Sequence, residues 1–327
     1  MPADRTVVVT LGAGERVRPE LEQIPGIKVV DRYELSSVRD DDEVLVRGLA
    51  GAWAVVAGSE HYTRGVLEAL PDLKAILRWG TGSDSVDIAA ATDAGVAVIT
   101  TPAVNAEAVA DMALALMLAC IRRLPELDAI VRSGEWRGLG PTRDLACSTV
   151  GIVGLGAIGK AVTRRLRGFG CRLLAFEPNP DPEFIAEHEV ELTTIENMLP
   201  RVDVLTLHAP LTEDTRHLIG ARELELLPRH AVLVNAARGD LIDQAALVAA
   251  LETGQIAAAG LDVFEHEPPA SDDPILSLPN TILSGHISSY TELGLDRTGE
   301  MVIANLREVL VGRLPASSLN PEAWDAR

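Results

Sequence analysis

From its amino terminus the chain alternates short apolar runs with longer amphipathic stretches. Residues 6–11 (TVVVTL) are rich in β-branched side chains and stop at Gly12, the pattern of a buried strand. The spacing then predicts a helix over 44–49, a strand over 54–57, a helix over 63–70 and a strand over 75–77. A loop, Arg78-Trp79-Gly80-Thr81-Gly82, leads to a helix over 87–94 and a strand over 96–99. Strands alternating with helices specify a parallel, doubly wound sheet.

Residues 105–123 form one long helical stretch whose apolar positions run almost all the way round. That suits burial between domains or subunits, and equally a central core helix of one chain. A second alternating series begins at Thr149, with strands at 150–153, 172–176, 204–207, 231–235, 258–259 with 261, and 281–283. A last helix over about 293–311 runs into a Pro-containing tail. Two series in 327 residues imply two domains. No repeat or flexible linker separates them, so short hinges are expected.

Composition adds limits. Apolar residues make up 47% and aromatics only 3%, so the cores are built from Ala, Val, Leu and Ile. The formal charge of −19 repels phosphate backbones and anionic lipid, so neither nucleic acid nor a membrane is an expected partner. An anionic substrate has to be drawn in by a local basic group against that field. The three cysteines, Cys120, Cys147 and Cys171, have no metal-ligand spacing, so no metal is expected, and free thiols fit a reducing compartment. There is no signal-peptide pattern, and the longest apolar run, 112–121, is too short to span a bilayer. A cytoplasmic protein is expected.

Gly154-Leu155-Gly156-Ala157-Ile158-Gly159 joins a strand to a helix and has the G-x-G-x-x-G form. Gly154 permits the tight turn, Gly156 lets a pyrophosphate approach the backbone, and Gly159 allows close helix–strand packing. The helix N-terminus beyond offers free N–H groups to phosphate. The next strand ends in Glu177, 23 residues after Gly154, where an acidic side chain takes the adenosine ribose hydroxyls. Glu177 repels a 2′-phosphate, and Pro178-Asn179-Pro180 supplies no Arg to receive one, so NAD is favoured over NADP.

Three further segments each follow a strand, where open α/β sheets bind ligands. They are Asn235-Ala236-Ala237-Arg238-Gly239, Leu261-Asp262-Val263-Phe264-Glu265-His266-Glu267-Pro268, and Ser284-Gly285-His286-Ile287. The order of dinucleotide motif, N-x-A-R-G, D-V-F-x-x-E-P and a late histidine resembles the D-isomer-specific 2-hydroxyacid dehydrogenases. The resemblance covers nearly the whole chain, from Arg78 through Tyr290.

It implies that Arg238, Glu267 and His286 are catalytic. Oxidising a hydroxyl needs a base for its proton while hydride leaves for the nicotinamide, and His286 suits that task. Glu267, bonded to the imidazole, fixes its tautomer, and Arg238 clamps a substrate carboxylate and polarises the C2 oxygen. The resemblance also places Ala157, Ile158, Pro178, His208, Ala209, Pro210, Thr215, Ala236, Ala237, Asp262 and Ser288 beside the cofactor. It makes Gly80-Thr81-Gly82, with Arg78 and Trp79, the substrate loop, whose backbone N–H groups hold the carboxylate. Trp79 either walls that pocket or packs in a core. The implied fold is two doubly wound parallel-sheet domains. One is a flavodoxin-like substrate domain (1–102 and 287–327), the other a Rossmann NAD-binding domain (103–286), with a cleft that closes over ligands and a homodimer formed through the long helix and the arm to Trp136. The implied substrate is a small 2-hydroxy or 2-oxo acid.

This chain departs from the family pattern at three points. Gly285 stands where Pro usually precedes the histidine, and Asp111 where Glu is commoner. The segment Ala57-Gly58-Ser59-Glu60-His61 lacks the Arg usual in phosphoglycerate-type members, leaving Arg78 as a replacement and a phosphorylated substrate less supported. Glu267 argues against the formate branch, which pairs Gln with the histidine. A phosphite-type dehydrogenase and an NAD-sensing corepressor of the same fold are the competing readings, although a chain no larger than two bare domains disfavours the latter.

Overall fold

The structure, a computed structural model, describes residues 5–36, 38–39, 41–136 and 139–325. It divides into two compact units, one formed by residues 1–105 with 291–327 and the other by 106–290.

The first unit holds five parallel strands: β1 (Arg5–Val9), β2 (Ile27–Asp31), β3 (Ala54–Ala57), β4 (Ala75–Arg78) and β5 (Ala97–Ile99). Their order, β2-β1-β3-β4-β5, is the flavodoxin-like one. β3, β4 and β5 are buried on both faces, which is why they read as unbroken apolar runs rather than alternations. β2 is absent from the expected elements: as an edge strand, IKVVD is only partly buried and carries Lys28 and Asp31, so its apolar signal is weak. The carboxy-terminal helix Glu292–Leu310 returns to this unit and buries Val302, Ile303, Leu306 and Val309 against the sheet.

The second unit holds β6 (Thr149–Val153), β7 (Arg172–Phe176), β8 (Glu191–Leu192), β9 (Val204–Leu207), β10 (Val232–Asn235), β11 (Ala258–Leu261) and β12 (Thr281–Leu283). The order β12-β11-β10-β9-β6-β7-β8 is that of a Rossmann sheet, reversing between β6 and β9. The two-residue β8 is too short to leave a periodic signal. The long helix spans Ala106–Ile121 and buries nine residues, among them Ala110, Ala113, Leu116 and Met117, in the same cluster as β6 and β10. A core position within one chain thus accounts for most of its apolar surface. Asp111 of this helix pairs with Arg165 at 2.6 Å, so the shorter acid still reaches a cation. Cys120 and Cys171 are buried and Cys147 is exposed; burial pushes the Cys120 thiol up to about 12, which leaves it inert at neutral pH.

Candidate active site

The loops at the carboxyl ends of the second sheet carry the dinucleotide motif. Gly154 ends β6 at φ +93°, and a Cβ there would stand 2.7 Å from the carbonyl oxygen of His208. Among the described residues, nothing beyond its immediate chain neighbours lies within 4 Å of where a Gly156 Cβ would be, so a ligand can approach the backbone. Helix Ala157–Arg167 starts at Gly156, with Ala157 and Ile158 in its first turn. Glu177, just past β7, accepts the backbone N–H groups of Leu155 at 2.8 Å and Asn179 at 2.9 Å. Its carboxylate therefore sits against the glycine turn, with Pro178 beside it. Cradle, helix N-terminus and carboxylate fit a dinucleotide with unphosphorylated adenosine ribose.

Across the reversal point, β9 leads into His208, Ala209 and Pro210. His208 is buried, with Nε2 bonded to Thr206 Oγ1 at 2.9 Å and Nδ1 without a partner among the described residues. Burial depresses its pKa to about 4, so it is neutral at physiological pH. Thr215 donates its hydroxyl to the Pro210 carbonyl at 2.7 Å and accepts the Thr212 N–H at 2.8 Å, which closes the loop on itself.

The chemistry-bearing residues lie on the next three loops. Asn235, fully buried at the end of β10, donates Nδ2 to the Arg238 carbonyl at 2.8 Å and accepts the Ala237 N–H at 3.0 Å. This side-chain turn shapes the Ala236-Ala237-Arg238 loop. Gly239 then touches the backbone of Phe264 and Glu265 so closely that any Cβ would overlap it, which brings the arginine loop against the loop bearing Glu267. Glu267 Oε2 meets His286 Nδ1 at 2.8 Å, and its Oε1 accepts the Phe264 N–H at 3.1 Å. The carboxylate selects the tautomer with hydrogen on Nδ1 and leaves Nε2 for a ligand.

Asp262 organises the histidine loop. Its Oδ1 accepts the Ser284 hydroxyl at 2.6 Å and the Ile287 N–H at 3.0 Å, and its Oδ2 accepts the Ser288 N–H at 2.9 Å and the Ser288 hydroxyl. Its carbonyl takes the His286 N–H at 2.6 Å. Those bonds hold His286 at φ +54°, a left-handed conformation unusual for a side-chain-bearing residue. Gly285 is not in that region and has open space around it, so strain in the loop falls on the histidine itself. Of the remaining histidines, His217 pairs with Glu265, His230 with Asp203, and His188 stacks on Phe184.

In the first unit, Gly80 adopts φ +141° and donates its N–H to Thr101 Oγ1 at 2.9 Å, while the Thr101 N–H returns to the Gly80 carbonyl. Among the described residues, no acceptor meets the N–H groups of Thr81 and Gly82. Arg78 is only 9% exposed and braces two loops, donating Nε to the Gly82 carbonyl at 3.2 Å and Nη1 to the Gly58 carbonyl. Trp79 packs with Val17 and the carboxy-terminal helix near Gly299, which favours its core reading. Arg39 reaches Ser59 at 3.2 Å, so the segment with no arginine of its own receives one from elsewhere in the chain. Asn235, Ser284, Thr101 and Glu60 were not singled out as functional in the sequence. Only Asn235, three residues before an arginine at a strand end, left a legible turn signal.

The fold and the dinucleotide cradle define a dinucleotide-binding protein of the Rossmann type. Residues 114–288 match the family model for the NAD-binding domain of D-isomer specific 2-hydroxyacid dehydrogenases, and the chain belongs to that family. It is 38% identical to the glyoxylate reductase of Korarchaeum cryptofilum over 310 residues, covering 92% of this chain and 93% of that one. It is 37% identical to the D-3-phosphoglycerate dehydrogenase of Methanocaldococcus jannaschii over 296 residues, 90% of this chain but 56% of that longer protein. The crystal structure of D-lactate dehydrogenase from Aquifex aeolicus, complexed with NAD and lactic acid, superposes with a TM-score of 0.88 at 25% identity. That match spans 97% of this chain and 99% of the other.

Proposed function

We propose that the protein reduces a small unphosphorylated 2-oxo acid of the glyoxylate or hydroxypyruvate class to the D-2-hydroxy acid, with His286 as the proton donor. The 2.8 Å bond between His286 and Glu267 carries this reading, because it holds an imidazole in one tautomer with Nε2 available. Bound NADH supplies the hydride that reaches C2. Glu267 stabilises the imidazolium that gives its Nε2 proton to the C2 oxygen, and in the reverse direction the neutral imidazole takes that proton back. Arg238 binds the carboxylate and polarises the carbonyl, and in the first unit the N–H groups of Thr81 and Gly82 are suited to a carboxylate. Glu177 takes the adenosine ribose hydroxyls, and the 208–215 loop, Ala236 and Ala237 line the cofactor. Glyoxylate reductases among the relatives support the substrate class.

We also propose a homodimer working in the cytoplasm. Helix Leu124–Arg132 buries none of its residues, and Leu124, Val131 and Trp136 expose 56%, 55% and 77% of their surface, which leaves an apolar arm for a second copy. Size-exclusion chromatography with light scattering tests this, and a monomer would overturn it.

The decisive experiment follows NADH absorbance at 340 nm with glyoxylate, hydroxypyruvate, 3-phosphohydroxypyruvate, pyruvate and branched-chain analogues. Oxidation with one acid identifies the class; silence across the panel with NADH still bound favours a phosphite substrate or an NAD-sensing role. His286→Ala is expected to lower kcat by about 10²- to 10⁴-fold while NADH affinity stays within about twofold. Undiminished turnover in that variant would remove His286 from the mechanism.

A further inference from the structure

The first sheet reverses direction between β1 and β3, and the loop after β3 carries a carboxyl group that the reaction above does not use. Glu60 is 0% exposed, and neither carboxyl oxygen meets a hydrogen-bond donor in usual geometry among the described residues. Nearby Tyr62 is equally buried, with its hydroxyl also unpartnered. A buried, unsatisfied carboxyl persists only where something offsets its desolvation.

The cation set against it is Arg78, which acts beside the Thr10 hydroxyl and the backbone of Glu60 and Gly58. Its guanidinium is charged at every accessible pH and is itself withdrawn from water. Both groups converge on Gly58: Arg78 Nη1 donates to the Gly58 carbonyl, and a Cβ placed on Gly58 would stand 3.3 Å from Glu60 Oε1. The second arm of the guanidinium holds the carbonyl of Gly82, at the end of the loop that offers the Thr81 and Gly82 N–H groups. Burial holds the Glu60 carboxyl above the ordinary carboxylate range, against the opposing pulls of Thr10, of the Glu60 backbone, of the Arg78 charge and of the Gly58 backbone. Tyr62 responds to both charges as well, its hydroxyl raised by burial and by Glu60 and lowered by Arg78.

We propose that Glu60 is a positioning residue for the acid-binding loop: it supplies the countercharge that keeps Arg78 buried as a brace between Gly58 and Gly82, and so fixes the N–H groups that receive the substrate carboxylate. The proposal rests on the substrate-loop reading given above. Without the countercharge, the guanidinium turns towards water and releases the Gly82 carbonyl. The loss falls on binding of the acid, because the dinucleotide cradle and His286 belong to the other unit.

The test compares wild type, Glu60→Gln, Arg78→Met and the double variant, with glyoxylate and NADH as probes. Glu60→Gln is expected to raise KM for glyoxylate about tenfold while kcat stays within about threefold and KM for NADH within about twofold. On the Arg78→Met background the same change should add nothing, since Glu60 acts through that side chain. An unchanged glyoxylate KM, or a full effect that survives on the Arg78→Met background, overturns the proposal. Hydrogen exchange of residues 79–86 gives a readout that needs no turnover: faster exchange in Glu60→Gln is expected, and identical exchange overturns the proposal. If wild type oxidises NADH with no 2-oxo acid, the functional reading fails while the exchange result still decides the brace. Should Glu60→Gln not fold, Glu60→Asp, one methylene short, is read by the same measurements with smaller shifts in the same directions.

Discussion

Single residues at this site do more than their types announce. Asp262 follows β11 and is placed beside the cofactor by the family resemblance, yet in the structure both its oxygens are committed to Ser284, Ile287 and Ser288. Its buried charge is matched by four donors, so its contribution is to hold the loop that forces His286 into a left-handed conformation. Asp262→Asn turns one acceptor oxygen into a donor that faces other donors. We expect a loss of about 2–4 kcal/mol in denaturant-measured stability without ligand, together with at least about a tenfold lower kcat. If apo stability is untouched and only NADH affinity falls, the side chain serves the nicotinamide instead. Arg238, Glu267 and His286 stand out in the sequence because their types and order are chemical, and the structure joins Glu267 to His286 at 2.8 Å. The bonds that shape their loops stand out less: Asn235 carries only a turn signal, and Ser284 is an ordinary polar residue until the chain brings it to Asp262.

At the scale of elements, strands buried on both faces were easily read, because β3, β4, β9 and β10 are buried throughout and dominated by apolar residues bounded by turns. Those that escaped were edge strands, where half-exposure admits charged residues and erases the pattern. The β6–helix–β7 unit was the most legible of all, since glycines, helix start and terminal acid are each required by the backbone. The structure adds that Glu177 staples the glycine turn through the Leu155 N–H, so charge and architecture are joined in one side chain. Glu177→Ala would remove both. Glu177→Gln keeps an acceptor for the turn and removes the charge, so it isolates the effect on cofactor choice. The ratio of kcat/KM for NADH over NADPH should fall about tenfold or more, mainly through better use of NADPH. An unaltered ratio would place discrimination elsewhere in the cradle.

For the whole molecule, pH acts through two opposed effects. The chain carries a formal charge of −19, with a pI near 4.8, so acidification from neutrality first relieves self-repulsion and favours the compact state. His208 works in the other direction. Its pKa is depressed to about 4 in the folded chain but is near 6.5 when unfolded, so between those values the unfolded chain binds the extra proton. The contribution of neutral His208 is fully present above the unfolded value and is lost as pH falls towards the folded one. The loss amounts to about 3 kcal/mol. Glu107, Asp181 and Glu191, held low by hydrogen bonds from Arg165, Lys160 and Arg201, lose their contributions only as pH falls through their own lowered values. Above about pH 4.5 the histidine is opposed by Glu60, whose raised carboxyl favours the folded chain as it takes up its proton. Denaturant unfolding of wild type and His208→Gln across pH 4 to 7 separates the two effects, because the variant keeps the net charge and loses the titration. The wild-type curve should fall more steeply on the acid side, by up to about 1.4 kcal/mol per pH unit. Parallel curves would mean that His208 is hydrated or partnered in solution, and acid lability would then have to arise from the carboxylates alone.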